Sequence, residues 1–244
     1  MTRRAALITG AAGGLGRVFA AALAGQGIAV AGIDIADPGP AAAAVAEAGG
    51  EFTGITADIT DPDVAAVAVA EAAERLGGLD ILVNNAGIYP VIPFAQTTPA
   101  RWRQIMSLNL DGLFYVTSAA LPWLAQSGAG RIVNIASAVV WLGPPGMVAY
   151  TASKGGVIGF TRALASELGP AGITVNAITP GMIPTETAVS TGVTRDLDRV
   201  VAGQAVPRPQ QPEDLVSTLL YLADPASSFV TGAAINVDGG HAKH

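Results

Sequence analysis

The sequence has no cysteine and only two histidines, His241 and His244, which both lie among its last four residues. The absence of thiols excludes disulfide bonds, thiolate nucleophiles and thiolate metal sites. A catalytic zinc ion normally takes three His, Cys or carboxylate ligands, so a zinc alcohol dehydrogenase is excluded and we expect no metal. A Ser-His-Asp hydrolase is disfavoured, because only a histidine of the C-terminal tail could act as its base.

Charged residues are scarce as well. They make up 13% of the 244 residues, whereas about 25% is usual in soluble proteins. A mean hydropathy of +0.46 raises the question of a membrane protein. The longest uncharged stretch, 132–153, is interrupted by Asn134, Pro144 and Pro145, so it does not suit an apolar span of about 20 residues. The basic start of the chain is followed by Thr and Gly rather than by the apolar core of a signal peptide. We expect a soluble, cytoplasmic protein with no membrane partner.

Basic clusters are missing too. The net charge is −6, and no cluster of Lys and Arg exceeds two residues, so we expect no nucleic-acid partner. No break in composition and no internal repeat divides the chain. Its length suits one domain that comprises residues 1–244.

Short apolar runs rich in β-branched residues alternate with stretches of helical character. The runs are apolar on both faces, as expected for strands that are buried between two layers of helices. The predicted strands are Ala5–Thr9, Ala29–Asp34, Phe52–Ala57, Leu79–Asn84, Arg131–Ala136, Ile173–Ile178 and Ala233–Val237. The predicted helices lie near 15–26, 41–49, 62–76, 99–126, 148–169 and 213–223.

This alternation predicts an α/β fold with a doubly wound, seven-stranded parallel sheet and helices on both faces. Segment 181–211 is rich in Thr, Gly, Pro and Val, and we predict it to be irregular. Its place after the sixth strand makes 182–211 a candidate substrate lid. The alternative hypothesis is a variable surface excursion without a function.

A glycine-rich turn joins the first strand to the first helix. It has the spacing Gly10-x3-Gly14-Leu15-Gly16, which differs from the common GxGxxG. Glycines allow a tight turn and let the backbone approach a pyrophosphate at the positive end of the helix. The strand before the turn and the helix after it favour a dinucleotide site over an ordinary tight turn.

Asp34 ends the second strand, 18 residues after Gly16. A carboxylate at this position can accept hydrogen bonds from the adenosine ribose hydroxyls and would repel a 2′-phosphate. The next residue is Ile35 rather than Arg, and Gly13 stands where a basic residue could hold that phosphate. We therefore predict NAD as the cofactor rather than NADP. The alternative is that Asp34 is only a polar strand end.

Further motifs follow in a characteristic order. They are Asp58, Asn84-Asn85-Ala86-Gly87, Asn109, Ser137, Tyr150-Thr-Ala-Ser-Lys154 and Pro180-Gly181. With the glycine turn, they make the sequence resemble the classical short-chain dehydrogenase/reductase family over nearly its whole length. The resemblance implies a single-domain Rossmann-like fold and an oxidoreductase.

The chemistry of Tyr150 fits this resemblance. Oxidation of a secondary alcohol needs a base for the hydroxyl proton, and no usable His or Cys exists. Tyr150 has a reference pKa near 10, and we expect the charge of Lys154, one helical turn later, to lower it. The resemblance implies Tyr150 as general acid/base and Lys154 as the residue that holds the nicotinamide ribose. Ser137 would hydrogen-bond the substrate oxygen, and Asn109 would anchor a water in a proton relay. The alternatives are a packing tyrosine, a surface lysine, a strand-end cap and an asparagine that satisfies backbone groups.

Other cofactor contacts are implied by the same resemblance. Asp58 and Ile59 would border the adenine, and Asn85, Ala86 and Gly87 would line the adenosine ribose and the floor beneath it. The nicotinamide carboxamide and the phosphates would meet Pro180, Gly181, Ile183 and Thr185. Asn84 is expected to stabilise the fourth strand.

The expected substrate walls are apolar and aromatic, in the loops 88–94, 138–147 and 182–183. The candidate substrate residues are Tyr89, Val139, Trp141, Met147 and Met182. Such a lining favours a hydrophobic or aromatic secondary alcohol or its ketone, and the loops resemble those of 1-phenylethanol-type dehydrogenases. Alternatively, these residues pack the core or a subunit interface. A 3-oxoacyl-thioester reductase and a catalytically idle NAD-binding sensor are the competing functions.

Two long helices, near 112–126 and 150–168, carry few charges. Members of the family that the chain resembles commonly pair these helices between subunits, which implies a homotetramer.

Overall fold

The computed structural model describes residues 3–243. Met1 and His244, which entered the sequence arguments, lie outside the described residues. The seven strands are β1 (Ala5–Thr9), β2 (Ala29–Asp34), β3 (Phe52–Thr56), β4 (Ile81–Asn84), β5 (Arg131–Ile135), β6 (Thr174–Pro180) and β7 (Ala234–Val237). All seven predicted strands are found, and their ends differ from the prediction by at most two residues.

The strands form one parallel sheet in the order β3-β2-β1-β4-β5-β6-β7. Leu7 of β1 pairs with Ala31 of β2 on one side and with Leu82 of β4 on the other. From β1 the chain therefore adds strands β2 and β3 on one side. From β4 it adds β5, β6 and β7 on the opposite side. In such sheets a crevice opens at the carboxyl ends of the strands, where the winding direction changes.

The helices are α1 (Gly14–Gly25), α2 (Gly39–Glu47), α3 (Pro62–Leu76), α4 (Pro99–Met106), α5 (Gly112–Ser127), α6 (Val139–Leu142), α7 (Val148–Leu168), α8 (Glu186–Ser190), α9 (Leu197–Gly203) and α10 (Val216–Ala223). Among the helices of residues 3–243, none combines the length and the apolar character that crossing a membrane requires.

Two apolar clusters lie on opposite faces of the sheet. One contains Val69 of α3 and Val116 of α5. The other contains Phe19 of α1 and Leu219 of α10. Strands with apolar side chains on both faces need a helix layer on each side, so the prediction of a doubly wound α/β fold is confirmed.

The predicted helix 99–126 is interrupted. A π-helical turn, Ser107–Asp111, separates α4 from α5. A π turn inserts an extra residue into the helical repeat, and such turns often occur at functional sites. The apolar periodicity of the sequence continues through this turn, which explains why the sequence predicts one helix.

The prediction that segment 181–211 is irregular is wrong in part. It contains α8, a 3-10 turn over Val193–Asp196, and α9. The side chain of Thr185 caps α8 by accepting from the backbone N–H of Ala188. The segment is rich in Thr, Gly and Val, which have low helix propensity, so these short helices give a weak sequence signal.

Candidate active site

Four side chains predicted to act in catalysis lie at the carboxyl edge of the sheet. Ser137 follows β5, Tyr150 and Lys154 lie in α7, and Asn109 lies in the π turn. All four are buried, with exposed fractions between 1% and 8%. Lys154 Nζ lies 5.9 Å from the centre of the Tyr150 ring and donates a 2.7 Å hydrogen bond to the carbonyl oxygen of Ile135. The alternative of a solvated surface lysine therefore does not apply.

Burial dominates the acidity of Tyr150. It raises the pKa of the phenol to about 12, the hydrogen-bonding Ser137 side chain acts in the opposite direction, and Tyr89 raises the pKa further. The prediction that Lys154 lowers this pKa is wrong for this structure, because the pKa is raised by loss of hydration and Lys154 is not among the groups that shift it. The phenol is thus held in its protonated form near neutral pH.

Burial acts on Lys154 as well. It lowers the pKa of the ammonium group from 10.5 to about 8, because a charged group loses hydration when it is enclosed. The carbonyl of Ile135 compensates for part of this loss. Lys154 therefore titrates much closer to neutral pH than an ordinary lysine.

Asn109 has its amide group fully engaged. Its Oδ1 accepts from the backbone N–H of Ile88, and its Nδ2 donates to the carbonyl of Ile88 and to Ser153 Oγ. Ser153 Oγ in turn donates to the carbonyl of Tyr150. The structure thus places Asn109 as a brace between the loop after β4 and α7. Its role in a proton relay stays a prediction.

The glycine turn is packed too tightly for other residues. A Cβ at Gly16 would lie 2.1 Å from the carbonyl oxygen of Gly10, and Gly10 itself has a φ of +68°. A Cβ at Gly10 would also lie 2.9 Å from Ala86 Cα. The turn is therefore held against the loop after β4, with the N-terminus of α1 directed at the crevice.

Asn85 stabilises the contact between the glycine turn and the loop after β4. Its Nδ2 donates to the carbonyls of Thr9 and Gly10, and Thr9 Oγ1 accepts from the backbone N–H groups of Asn85 and Ala86. The Asn85 side chain and the backbone N–H groups of Asn85 and Ala86 thus join the two loops, which fixes the backbone of residues 85–87 beside the predicted ribose site. A Cβ at Gly87 would lie 3.1 Å from Asn109 Oδ1 and 3.5 Å from Lys154 Nζ.

Asp34 faces the glycine turn. Its Oδ2 accepts from the backbone N–H of Ala12 and its Oδ1 from that of Ala36. The next side chain, Ile35, is 70% exposed. The carboxylate therefore lies at the edge of the predicted dinucleotide site with an uncharged neighbour. We call this site, formed by the glycine turn of residues 10–16 and the N-terminus of α1, the cradle.

Asp58 and Ile59 point in different directions. Asp58 Oδ1 accepts from the backbone N–H and the hydroxyl of Thr60 at the surface. The Ile59 side chain is buried, and a Cβ at Gly112 of α5 would contact it at 3.2 Å. Because the Ile59 side chain is buried, Ile59 could border an adenine only through its backbone.

Thr185 connects the glycine turn to Tyr150 by way of Tyr89. Its side chain lies 3.3 Å from the position of a Cβ at Gly14, and its Oγ1 lies 3.5 Å from the hydroxyl of Tyr89. The Tyr89 ring packs edge-on against the Tyr150 ring at 6.1 Å between centres. Next to Thr185, Glu186 forms an exposed 3.4 Å ion pair with Arg17 of α1. The start of α8 thus rests on the dinucleotide cradle.

The remaining predicted residues either pack against the apolar clusters or are partly exposed. Leu15 and Ile183 both pack against the apolar cluster of α1 and α10. Trp141 packs against a third cluster that includes Leu113 and Val157, as the alternative of core packing foresaw. Val139 begins α6, whereas Met147 precedes α7 and Met182 follows Gly181; all three are partly exposed.

Gln210 was missed by the sequence analysis. Its Oε1 accepts from the backbone N–H of Gly181 at 2.9 Å, and its Nε2 donates to the carbonyl of Val237 at 2.6 Å. The carbonyl of Pro180 accepts from the backbone N–H of Ala138. A glutamine that is followed by a second one in a Pro-rich stretch carries no sequence signal for this role.

Comparison with known proteins agrees with this geometry. A family model described as enoyl-(acyl carrier protein) reductase matches residues 10–242. The chain belongs to the classical short-chain dehydrogenase/reductase family. Such a dehydrogenase/reductase is an oxidoreductase that binds a nicotinamide cofactor.

Three members illustrate the range of this family. A 3-oxoacyl-[acyl-carrier-protein] reductase of Synechocystis sp. is 38% identical over 98% of this chain and 97% of its own. The (2S)-[(R)-hydroxy(phenyl)methyl]succinyl-CoA dehydrogenase subunit BbsD of Thauera aromatica is 40% identical, over 97% of this chain and 96% of its own. A crystal structure of an actinorhodin polyketide ketoreductase with NADPH has a TM-score of 0.93 at 36% identity and covers 99% of this chain and 98% of its own.

The cradle fits a dinucleotide cofactor. The glycines 10, 14 and 16 let this turn pack closely, since a Cβ at each would lie 3.3 Å or less from another protein atom, and α1 begins within the turn. Within residues 3–243, no group of three or more His, Asp or Glu side chains could hold a metal ion. The predicted reactive side chains in the site are those of Tyr150, Lys154 and Ser137.

Proposed function

We propose that this oxidoreductase uses NAD(H) to interconvert hydrophobic or aromatic secondary alcohols and their ketones. The observation that carries the proposal is the Tyr89 ring, which packs edge-on against the Tyr150 ring at 6.1 Å. An aromatic wall beside the proton donor favours a substrate with an apolar or aromatic group next to its carbonyl.

The other proposed wall residues are uncharged. Val139, Met147 and Met182 offer aliphatic surface. A polyol or a free carboxylate would leave its polar groups without partners against such a lining. By its name, the Thauera relative acts on a hydroxy(phenyl)methyl group, an aromatic secondary alcohol, that is carried by succinyl-CoA.

The preference for NAD rests on Asp34. Its carboxylate stands at the mouth of the cradle, where a 2′-phosphate would meet a like charge. The exposed Ile35 offers that phosphate no cation.

The chain's own residues divide the reaction between them. A bound nicotinamide would supply or accept the hydride. In reduction, Tyr150 would give its proton to the carbonyl oxygen while the Ser137 hydroxyl donates a hydrogen bond to that oxygen. Lys154 would place its ammonium beside the nicotinamide ribose and Tyr150. In oxidation the proton would return to Tyr150.

A 3-oxoacyl-thioester reductase is the second candidate. The Synechocystis relative supports it by name, and the matching family model is named for another reductase of acyl-carrier-protein substrates. Asp34 argues against the NADPH that such enzymes usually prefer. The chain also has only two lysines, Lys154 and Lys243, to meet the phosphate of an acyl carrier.

One panel tests these candidates. NAD⁺ and NADP⁺ are each combined with 1-phenylethanol, 2-octanol, xylitol and a 3-hydroxybutyryl thioester, and kcat/KM is measured. We expect the highest value for NAD⁺ with 1-phenylethanol or 2-octanol. A preference for the thioester would favour the second candidate, and a preference for xylitol would overturn both.

A catalytically idle NAD-binding sensor is tested separately. Tyr150→Phe removes the proton donor while it preserves the ring, so activity should fall by about 100- to 10,000-fold with unchanged NADH binding. Equal activity of both proteins would show that Tyr150 does no proton transfer.

We also propose a homotetramer. Phe114 of α5 is 52% exposed, and α7 exposes the small residues Ala152 and Gly159, so these helices can approach a second copy closely. Light scattering should give four subunits, and Phe114→Asp should reduce that number. Val67→Asp, at another exposed apolar residue, is the control. A monomeric wild-type protein would contradict this assembly.

A further inference from the structure

The segment 182–209 leaves and rejoins the domain at two residues that touch each other. Gly181 directly follows β6, and Gln210 precedes the 3-10 turn Pro212–Leu215 that leads into α10. The Gln210 side chain is only 5% exposed, and its Oε1 accepts from the backbone N–H of Gly181 at 2.9 Å. A single side chain therefore joins the two ends of segment 182–209, which lies within the predicted lid 182–211.

Gln210 reaches a second strand as well. Its Nε2 donates to the carbonyl of Val237, the last residue of β7, at 2.6 Å. The backbone N–H of Gly181 also approaches this carbonyl, at 3.2 Å. Both ends of the amide are thus used to bridge the carboxyl ends of β6 and β7.

The fit between Gly181 and Gln210 is steric. Gly181 does not have a positive φ, so its backbone conformation does not require glycine. A Cβ at this position would lie 2.9 Å from Gln210 Oε1 and 3.0 Å from Asp238 Cβ. Asp238 is itself buried and accepts from the backbone N–H groups of Gly240, His241 and Ala242. Gly181 is therefore enclosed between the amide group of Gln210 and the buried Asp238.

We propose that Gln210 is a positioning residue for the cofactor site. It holds the Gly181 backbone, which the family resemblance places beside the nicotinamide, and it restrains both ends of the segment 182–209. It touches neither substrate nor cofactor itself. The inference rests on the nicotinamide cofactor of the family and is independent of which alcohol is the substrate.

Gln210→Met tests the inference, because methionine keeps the length of the side chain and removes both hydrogen bonds. The matched control is Gln211→Met at the exposed neighbouring position. Hydrogen exchange is measured on both proteins without cofactor, and NADH binding is measured by fluorescence titration. For Gln210→Met we expect faster exchange in 182–209 with unchanged exchange in β1 and β4. The NADH Kd should rise about five- to tenfold, the loss expected for one or two buried hydrogen bonds.

Kinetics add a readout that a general loss of stability would not move. With any alcohol that the wild type oxidises, KM for NAD⁺ should rise more than kcat falls. Unchanged exchange in 182–209 together with an unchanged NADH Kd would overturn the inference. If the Met variant does not fold, Gln210→Glu takes its place, since it keeps the acceptor for Gly181 but has no donor for Val237. The same two outcomes then decide.

NADH titration and hydrogen exchange need no alcohol. An error in the proposed substrate therefore leaves this test intact.

Discussion

The ammonium group of Lys154 lies 5.9 Å from the centre of the Tyr150 ring, and both side chains are enclosed by protein. Burial moves their acidities in opposite directions, raising the pKa of Tyr150 to about 12 and lowering that of Lys154 to about 8. In each case burial shifts the equilibrium toward the neutral form, although Lys154 still carries its charge below about pH 8. The site thus holds a proton donor and a cation whose charge is costly until a partner arrives.

The cost of the buried Lys154 charge should be measurable as stability. Because its pKa is about 8 in the folded protein and 10.5 ordinarily, the unfolded chain binds more protons between these values. The contribution of Lys154 therefore makes folding more favourable as the pH rises from about 8 to 10.5. Below about pH 8 the destabilisation caused by its buried charge is fully present. Lys154→Met should raise the unfolding free energy at about pH 7 by about 1–3 kcal/mol and abolish activity.

Thermal denaturation at several pH values below about 10 checks this expectation. The upper limit avoids the pH range in which the tyrosines of the unfolded chain ionise. Because burial raises the pKa of Tyr150 in the folded protein, the protein loses stability above that pH. Lys243→Met, at the other lysine, is the control. A Lys154→Met protein that is less stable than the wild type at pH 7 would contradict the assigned penalty.

The two directions of the reaction should respond differently to pH. Reduction needs protonated Tyr150, and the raised pKa keeps the phenol protonated near neutral pH. Oxidation needs the deprotonated form, so its kcat/KM should rise by about tenfold per pH unit below the operative pKa. Profiles of both directions between about pH 6 and 9 test this. An oxidation rate that falls over that range would exclude Tyr150 as the base.

The glycine turn offers a paired steric test. A Cβ at Gly16 would lie 2.1 Å from the Gly10 carbonyl oxygen, whereas one at Gly13 would meet its nearest atom at 3.6 Å. Gly16→Ala should destabilise the protein by about 1–3 kcal/mol and weaken NADH binding. Gly13→Ala should change stability by about 0.5 kcal/mol or less. Urea denaturation and NADH titration measure both, and equal behaviour of the two variants would refute the packing argument.

Cofactor preference should depend on the charge at the end of β2. The double substitution Asp34→Ser with Ile35→Arg removes a carboxylate and adds a cation where a 2′-phosphate would lie. The ratio of kcat/KM for NADP⁺ to that for NAD⁺ should rise by about 100-fold or more. Asp37→Ser is the control, because this exposed carboxylate accepts from the backbone of Gly39. An unchanged ratio would remove Asp34 from cofactor selection.

Much of the site was predictable because its residues follow the ends of strands. The alternation of apolar runs predicts the parallel sheet, and the carboxyl ends of parallel strands meet at one edge. Thr9, Asn84 and Ser137 are therefore brought near this edge by local signals alone. The seven strands differ from their predicted bounds only at the ends, where pairing partners rather than composition decide the last residue.

Other features depend on contacts between distant residues. The π turn that places Asn109 interrupts a helix without a break in its apolar pattern. Trp141 belongs to a loop predicted to line the substrate, yet it packs against Leu113 and Val157. The sequence cannot distinguish these two environments, since an apolar side chain suits both a pocket wall and a core.

The sequence by itself determined the fold class, the glycine turn and the tyrosine-lysine spacing, because each is encoded by neighbouring residues in a chemical pattern. Only the tertiary structure decided that Asn85 joins two loops and that Gln210 closes the base of the segment 182–209. It also decided how strongly Tyr150 and Lys154 resist ionisation. These properties arise from burial and from hydrogen bonds between segments far apart in the chain, and both exist only after folding.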